Sequence, residues 1–154
     1  NDFCIFEYIN KLVEKLTFSL TTKFFIMAFK NLSSYTDQPI TELFNKYGAF
    51  WAFSNQQFET AKQDQIEYVK FWGNCFCNKE TAKEFIAEYH LIFENQKKLF
   101  LHENSREDII KYELANYECY YTGEIEEAFE VLQQYGISYN EVQKVYYKEL
   151  PKYD

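Results

Sequence analysis

Apolar residues recur along this chain at the three- and four-residue spacing that is typical of amphipathic helices. The stripe nearest the start of the chain consists of Ile5, Ile9, Leu12, Leu16 and Leu20. This stripe predicts a helix that either packs on the core or forms the seam of a homodimer. Met27 is the only methionine, so a second hypothesis is that translation starts there and that residues 1–26 are an N-terminal extension. Under that hypothesis the first helix is dispensable for folding.

Capping residues indicate where the next helices begin and end. Thr36 or Asp37 can cap the first turn of a helix, and Gly48 is a typical residue just past a helix end. Ser54 and Gln57 have the spacing of a capping box, in which two side chains satisfy free N–H groups of the first turn. We therefore predict one short helix before Gly48 and another after Ser54.

The longest predicted helix covers residues 79–101 and begins after Asn78. We expect its buried stripe to consist of Ala82, Phe85, Ile86, Tyr89, Ile92, Phe93 and Phe100. Two aromatic segments precede this helix, residues 50–53 and 71–77, and they are short and flanked by residues that favour turns. These segments predict a turn or a small β-hairpin.

Three shorter helices are predicted in the last third of the chain. Ser105 with Asp108 caps the first of them, Gly136 ends the second, and Ser138 with Glu141 forms a capping box for the third. The predicted buried face of the first helix consists of Ile110, Leu114, Tyr117 and Tyr121. We therefore expect one continuous helix that extends to Tyr121.

The composition predicts a mainly α fold, a single-domain multi-helix bundle over residues 1–154. Only 4 glycines and 2 prolines interrupt the chain, and 47% of its residues are hydrophobic. A chain of this length can bury a large core without a disulfide or a metal. No signal peptide and no apolar run of about 20 residues is evident, which predicts a soluble cytoplasmic protein. Reduced thiols are therefore expected at Cys4, Cys75, Cys77 and Cys119.

Negative charge is concentrated in the acidic three-helix segment, residues 103–154. This segment holds twelve Asp/Glu against five Lys/Arg, whereas residues 1–102 hold twelve against eleven. Such a surface repels nucleic acid and favours basic protein surfaces, so we expect a basic protein as the partner and no direct binding of nucleic acid or membrane. The candidate partner-binding residues are Glu118, Tyr120, Tyr121, Glu124, Glu126, Glu127 and Glu130.

Catalytic motifs are scarce, so we expect a non-catalytic protein without a cofactor or metal. The chain has no nucleophile elbow and no glycine-rich phosphate loop, and it has only 2 histidines. The alternative is a small metal-dependent enzyme whose ligands would come from Glu113, Asn116 and Glu118. We expect Asn116 and Tyr117 to be structural or interfacial instead, with the ring of Tyr117 largely buried.

Two strings in the chain resemble a family of small, functionally uncharacterised proteins of phages, prophages and plasmids. They are FWAFSNQQF at residues 50–58 and YELANYECYYTGEIEEA at residues 112–128. The resemblance covers residues 50–150. The family has a histidine at the position of Tyr117 and an aspartate at that of Glu124, so any role of that histidine in metal binding or acid–base chemistry is lost here.

The resemblance implies a mobile-element origin and a bacterial host cytoplasm. Small acidic proteins of such elements include anti-CRISPR proteins, which inhibit RNA-guided nucleases by protein–protein interaction. We therefore interpret the chain as an inhibitor of a basic, nucleic-acid-handling host protein, with a CRISPR effector nuclease as the leading candidate. The alternative is a phage or plasmid accessory protein without an inhibitory role. Both a monomer and a homodimer fit this interpretation.

Overall fold

The structure is a computed structural model, and it describes residues 29–152. These residues form seven α-helices, three short 3₁₀ helices and one three-stranded antiparallel sheet, so the predicted mainly α fold with a small hairpin is confirmed. The chain divides into two compact units, Lys30–Phe100 and a second unit that includes Leu101–Asp154. The predicted first helix, its dimer seam and the start at Met27 lie outside the described residues.

The first described helix, α1, is Leu32–Tyr47, and it begins earlier than the capping pattern predicted. The side chain of Asn31 caps it by accepting a 3.2 Å hydrogen bond from the backbone N–H of Ser34. The predicted start at Thr36 or Asp37 is therefore wrong, because Asn31 already satisfies the first turn. Thr36 is buried inside the helix, where its hydroxyl lies 3.3 Å from the carbonyl oxygen of Ser33. The predicted end is confirmed, since Gly48 follows the helix with φ of 60°.

Three short strands form the sheet of this unit, in the order β1-β3-β2. They are β1 (Phe50–Trp51), β2 (Tyr68–Lys70) and β3 (Cys75–Asn78). The two segments expected to form a hairpin contain β1 and β3, which pair antiparallel with Phe50 opposite Phe76. Between β1 and β2 lies α2 (Asn55–Ala61), capped by the side chain of Ser54 as predicted.

The two faces of this sheet bury different side chains, because successive residues of a strand point to opposite faces. Cys75 and Cys77 are fully buried in one core cluster with Leu43 of α1 and with Phe85. Their neighbour Phe76 belongs to the other face, where it contacts an aromatic ring from α2, with a centroid distance of 4.8 Å to Phe58. Helices therefore cover both faces of the sheet.

The longest helix, α3, is Ala82–Glu103, and a 3₁₀ turn of Lys79–Thr81 precedes it. The side chain of Asn78 caps this turn by accepting a 2.9 Å hydrogen bond from the backbone N–H of Glu80, as the sequence predicted. The side chains of the predicted stripe differ in how far they are buried. Buried members are Ala82, Phe85 and Phe100, and half-buried members are Ile86, Tyr89, Ile92 and Phe93.

The second unit contains the four helices α4 (Arg106–Asn116), α5 (Cys119–Thr122), α6 (Glu126–Leu132) and α7 (Tyr139–Glu149). The predicted caps are confirmed: Ser105 accepts from the backbone N–H of Asp108 at 3.0 Å, and Ser138 with Glu141 forms a complete capping box. Gly136 ends the second predicted helix with φ of 68°. The side chains that fill this core include Ile109, Ile110, Leu114, Cys119, Ala128, Leu132 and Val142.

One helix boundary in this unit differs from the prediction. Helix α4 ends at Asn116, and Glu118 adopts the left-handed region with φ of 54° before the single turn of α5 begins. A left-handed residue rotates the following chain away from the helical register, so Tyr121 does not continue the face of Leu114. The prediction of one continuous buried face that extends to Tyr121 is therefore wrong, because Tyr121 is 77% exposed, whereas Tyr117 is half-buried.

Candidate functional site

Five glutamates lie around the turn between α5 and α6, and we call them the acidic edge: Glu118, Glu124, Glu126, Glu127 and Glu130. All five are exposed to solvent. Left-handed residues at Glu118 and Gly123 bracket α5 and interrupt the helical path on both sides of it. The segment that the sequence predicted as the binding surface therefore consists of the single turn of α5, the turn at Gly123 and the exposed side chains of α6.

Other glutamates of the same unit are held in ion pairs. Glu107 bonds both Lys111 and Lys148 at 2.7 Å, which joins α4 to α7 and lowers the pKa of Glu107 to about 2. Arg106 bonds Glu141 at 2.9 Å and lowers the pKa of that carboxyl to about 2 as well. In contrast, no ion pair with any residue in 29–152 is formed by Glu118, Glu124, Glu127 or Glu130. The acidic edge is thus a cluster of exposed carboxylates that form no ion pair within residues 29–152.

Glu126 has a structural role that the other four members of the edge lack. Its carboxylate accepts a 3.0 Å hydrogen bond from the backbone N–H of Ile125 and a 3.2 Å bond from the hydroxyl of Tyr139. Backbone N–H bonds at the start of α6, chiefly its own, and the Tyr139 hydroxyl hold the pKa of Glu126 below its usual value. This carboxylate therefore fixes the start of α6 against α7 and is a poor position for testing partner binding alone.

Like charges are neighbours on the surface of α6. Glu130 is one helical turn from both Glu126 and Glu127, and the helix contains no basic residue. Each such pair costs roughly 0.2–0.5 kcal/mol in an isolated helix. The two first-turn carboxylates recover part of that cost from the helix dipole. The net result is a concentrated negative potential that a cationic surface can neutralise.

The tyrosines next to the acidic edge divide into packing and exposed residues. Tyr120 is half-buried and stacks on Tyr146 with a centroid distance of 5.6 Å and an interplanar angle of 8°. Tyr121 is 77% exposed. Tyr147 is 63% exposed with its ring 5.3 Å from that of Tyr146, and the sequence analysis missed it. Its position off the stripe of Val142 and Tyr146 was the signal that could have identified it.

The alternative site at Glu113, Asn116 and Glu118 is split between two environments. Glu113 is only 8% exposed, and its burial raises the pKa of its carboxyl, although the side-chain amide of Asn116 donates to it at 3.4 Å. Glu118 is exposed beyond the end of α4. Within residues 29–152, no group of three His, Cys, Asp or Glu side chains is placed to hold a metal ion.

The described cysteines are free thiols, as the sequence predicted, and all three are buried. Cys75, Cys77 and Cys119 are free and have no exposed surface. Burial raises the pKa of Cys75 and of Cys119 to about 11, so both are protonated at neutral pH. A protonated thiol is a poor nucleophile and a poor metal ligand. These three residues therefore act as small core-filling groups.

Fold and surface together define a mainly α protein with a small antiparallel sheet and an exposed acidic edge. Residues 32–150 match a family of unknown function, DUF7659, and the chain belongs to that family. No curated protein and no solved structure matches the chain. None of the helices in residues 29–152 has the length and apolar character needed to cross a membrane. The matched residues include both strings, residues 50–58 and 112–128, that resemble phage and plasmid proteins. The mobile-element origin of the chain stays a prediction.

Proposed function

We propose that the protein is a non-catalytic binding protein whose acidic edge docks on a basic surface of a partner protein. The observation that carries the proposal is the contrast between two sets of carboxylates in one unit. Glu107 and Glu141 are neutralised by ion pairs, whereas Glu124, Glu127 and Glu130 have none within the described residues. A cationic partner surface would supply the missing countercharges.

Neighbouring aromatic rings support a protein partner over a simple cation. Tyrosine is enriched at the centres of protein interfaces, where its ring is buried and its hydroxyl is paired. Tyr121 and Tyr147 are 77% and 63% exposed, and Tyr121 lies in the same short segment as Glu118 and Glu124. Cationic side chains of a partner could stack on such rings while they pair with the carboxylates.

The partner class that fits an acidic edge is a protein that handles nucleic acid. Such proteins carry Lys- and Arg-rich surfaces because they neutralise phosphates, and an acidic protein can occupy the same surface. Within that class, the resemblance of residues 50–58 and 112–128 favours an RNA-guided CRISPR nuclease, which would make the chain an anti-CRISPR inhibitor. A mobile-element accessory protein without inhibitory activity is the alternative.

A charge-reversal variant tests the proposal. In Glu124→Lys/Glu127→Lys/Glu130→Lys, three exposed side chains change sign and Glu126 keeps its bonds to Ile125 and Tyr139. Candidate partners captured from a bacterial host, and a purified CRISPR nuclease, are titrated by surface plasmon resonance. We expect the association rate to fall at least about tenfold, and the wild-type rate to fall with added salt.

A matched variant controls for net charge. Asp37→Lys/Glu84→Lys/Glu94→Lys makes the same charge change at three exposed positions of the unit Lys30–Phe100, none of them in an ion pair with the described residues. It should bind like the wild type if the acidic edge is the binding surface. Equal weakening by both variants, or binding that ignores both the edge variant and salt, would refute the proposal. Nuclease inhibition that the edge variant loses would identify the narrower function.

A further inference from the structure

A row of side chains on α7 lies beside the acidic edge, and we call it the tyrosine face: Tyr139, Gln143 and Tyr147. These residues follow one another at a spacing of about one helical turn, so they share one side of the helix. Tyr139 and Gln143 are half-buried, whereas Tyr147 is 63% exposed. Burial, the hydrogen bond to Glu126 and the nearby hydroxyl of Tyr147 raise the pKa of Tyr139, which therefore stays protonated at neutral pH.

Both ends of the tyrosine face contact the helices that carry the acidic edge. At the start of α7, the hydroxyl of Tyr139 donates to Glu126 of α6 at 3.2 Å. Near the end of α7, Tyr146 stacks on Tyr120 of α5 with a centroid distance of 5.6 Å, and the ring of Tyr147 lies 5.3 Å from that of Tyr146. The rings of α7 and the carboxylates of the edge are therefore neighbours within one compact unit.

The ring of Tyr147 is supported on one side and open on the other. Tyr146 supports it with an interplanar angle of 70°. Among residues 29–152, lysines lie over the rings of Tyr47 and Phe76, and none lies over Tyr147. The face of an exposed aromatic ring attracts a cation, because the ring carries negative charge density there.

The charges around the tyrosine face favour a cationic ligand. The carboxylates of the acidic edge outnumber the two lysines of α7, Lys144 and Lys148. Lys148 is moreover bonded to Glu107 at 2.7 Å. A cation that approaches Tyr147 therefore meets a surface of net negative charge.

Glu126 offers a carboxylate of fixed orientation beside these rings. Its Oε2 accepts from the backbone N–H of Ile125 at 3.0 Å, and its Oε1 accepts from the hydroxyl of Tyr139 at 3.2 Å. The residue is exposed, and each carboxylate oxygen has two lone pairs, so the group keeps acceptor capacity towards a ligand. A fixed carboxylate suits the planar fork of a guanidinium, which can bond both oxygens at once, better than it suits an ammonium group.

We infer that the tyrosine face and the acidic edge together bind arginine side chains of the partner in preference to lysine side chains. The guanidinium stacks on the open face of Tyr147 while carboxylates of the edge accept its N–H groups. A lysine ammonium is a compact and strongly hydrated charge, so it gains the charge pairing but little from the ring. This inference rests on the proposed function, because it names the side chains through which a basic partner would contact the acidic edge.

Two synthetic peptides of the same length, spacing and charge test the preference. One has arginine and the other has lysine at every basic position, and all other positions are uncharged. The full chain is titrated with each peptide by isothermal titration calorimetry at low and at high salt. We expect the arginine peptide to bind about three- to tenfold more tightly, and both peptides to bind more weakly at high salt.

Substitutions of exposed rings make the test specific. Tyr147→Leu removes the ring and keeps a residue of high helix propensity, whereas Tyr147→Phe removes only the hydroxyl. Phe53→Leu, at a position 72% exposed in the unit Lys30–Phe100, removes a ring elsewhere and is the matched control. We expect the arginine preference to disappear in Tyr147→Leu and to persist in the other two variants.

The outcomes separate this inference from the proposed function. Equal affinities of the wild type for the two peptides, or an arginine preference that survives in Tyr147→Leu, would overturn the inference and leave the proposed function standing. The same holds if Phe53→Leu loses the preference as fully as Tyr147→Leu does. If neither peptide binds, or if Glu124→Lys/Glu127→Lys/Glu130→Lys binds both as tightly as the wild type, the proposed function fails and the inference fails with it.

Discussion

Replacing Glu118 by glycine should stabilise the protein while it weakens the acidic edge. Glu118 has φ of 54°, although it carries a Cβ atom, and its side chain makes no capping bond. Both backbone groups of Glu118 are hydrogen-bonded. Its N–H donates to the carbonyl oxygen of Ala115, and its carbonyl oxygen accepts from the backbone N–H groups of Tyr121 and Thr122 at 2.9 and 3.1 Å. Glycine keeps all three bonds, so the substitution changes the conformational cost alone.

The expected gain follows from two opposing effects. A left-handed residue with a Cβ costs roughly 1–2 kcal/mol, which glycine avoids. Glycine loses about 0.5–1 kcal/mol more backbone entropy on folding than other residues do. The free energy of unfolding should therefore rise by about 0.5–1 kcal/mol. For a chain of 154 residues this corresponds to an increase in the melting temperature of about 1–4 °C.

Calorimetry and urea unfolding measure this gain, and Glu118→Ala is the control. Alanine removes the same carboxylate but keeps the Cβ atom in the left-handed region, so we expect no gain. Both variants should lose the same amount of partner affinity, because each loses one carboxylate of the edge. If Glu118→Gly were no more stable than Glu118→Ala, then left-handed strain at this residue would not be the reason for the effect.

Two further predictions concern carboxylates with shifted pKa values. The pKa of Glu107 is lowered to about 2 by its bonds to Lys111 and Lys148, so its stabilisation is fully present above the unfolded pKa and is lost as pH falls through the folded pKa of about 2. Its side chain is 41% exposed, so Glu107→Gln should cost only about 1 kcal/mol, seen in urea unfolding at pH 7 and absent near pH 2. Burial raises the pKa of Glu113, so the protonated form is the stabilising one below the unfolded pKa, and that contribution is lost as pH rises. Glu113→Gln should therefore raise the melting temperature at about pH 8 but not at about pH 4, and an equal effect at both would contradict the assignment.

Short-range signals predicted much of the local structure. Ser105, Ser138 and Asn78 each cap a helix with a bond to a residue two or three positions ahead, and such bonds depend on adjacent residues only. Gly48 and Gly136 end helices as expected, because a left-handed residue is easiest for glycine. The wrong helix start at Thr36 also comes from a short-range signal. Asn31 is an equally good capping residue, and the sequence pattern alone does not show which of the two caps the helix.

The break at Glu118 could not be predicted from such signals. Residues 106–122 contain no glycine or proline, so neither of these residues marks a boundary before Gly123. The break brings Cys119 into the core, where it is fully buried, and leaves Tyr121 in solvent. Packing of α5 in its own unit overrides local preference there. Tyr117, which precedes the break, keeps a half-buried ring.

The amino-acid sequence by itself determined that this protein is mainly α, that Cys75, Cys77 and Cys119 are free thiols, and that most of its net negative charge lies in residues 103–154. Periodicity, capping and charge are properties of neighbouring residues, and they survive in any tertiary arrangement. Only the tertiary structure decided which carboxylates lack a countercharge. Lys148 is 41 positions from Glu107 and Glu141 is 35 positions from Arg106, so those ion pairs exist because α4 packs on α7. That packing neutralises Glu107 and Glu141, whereas the carboxylates of the acidic edge form no ion pair within residues 29–152.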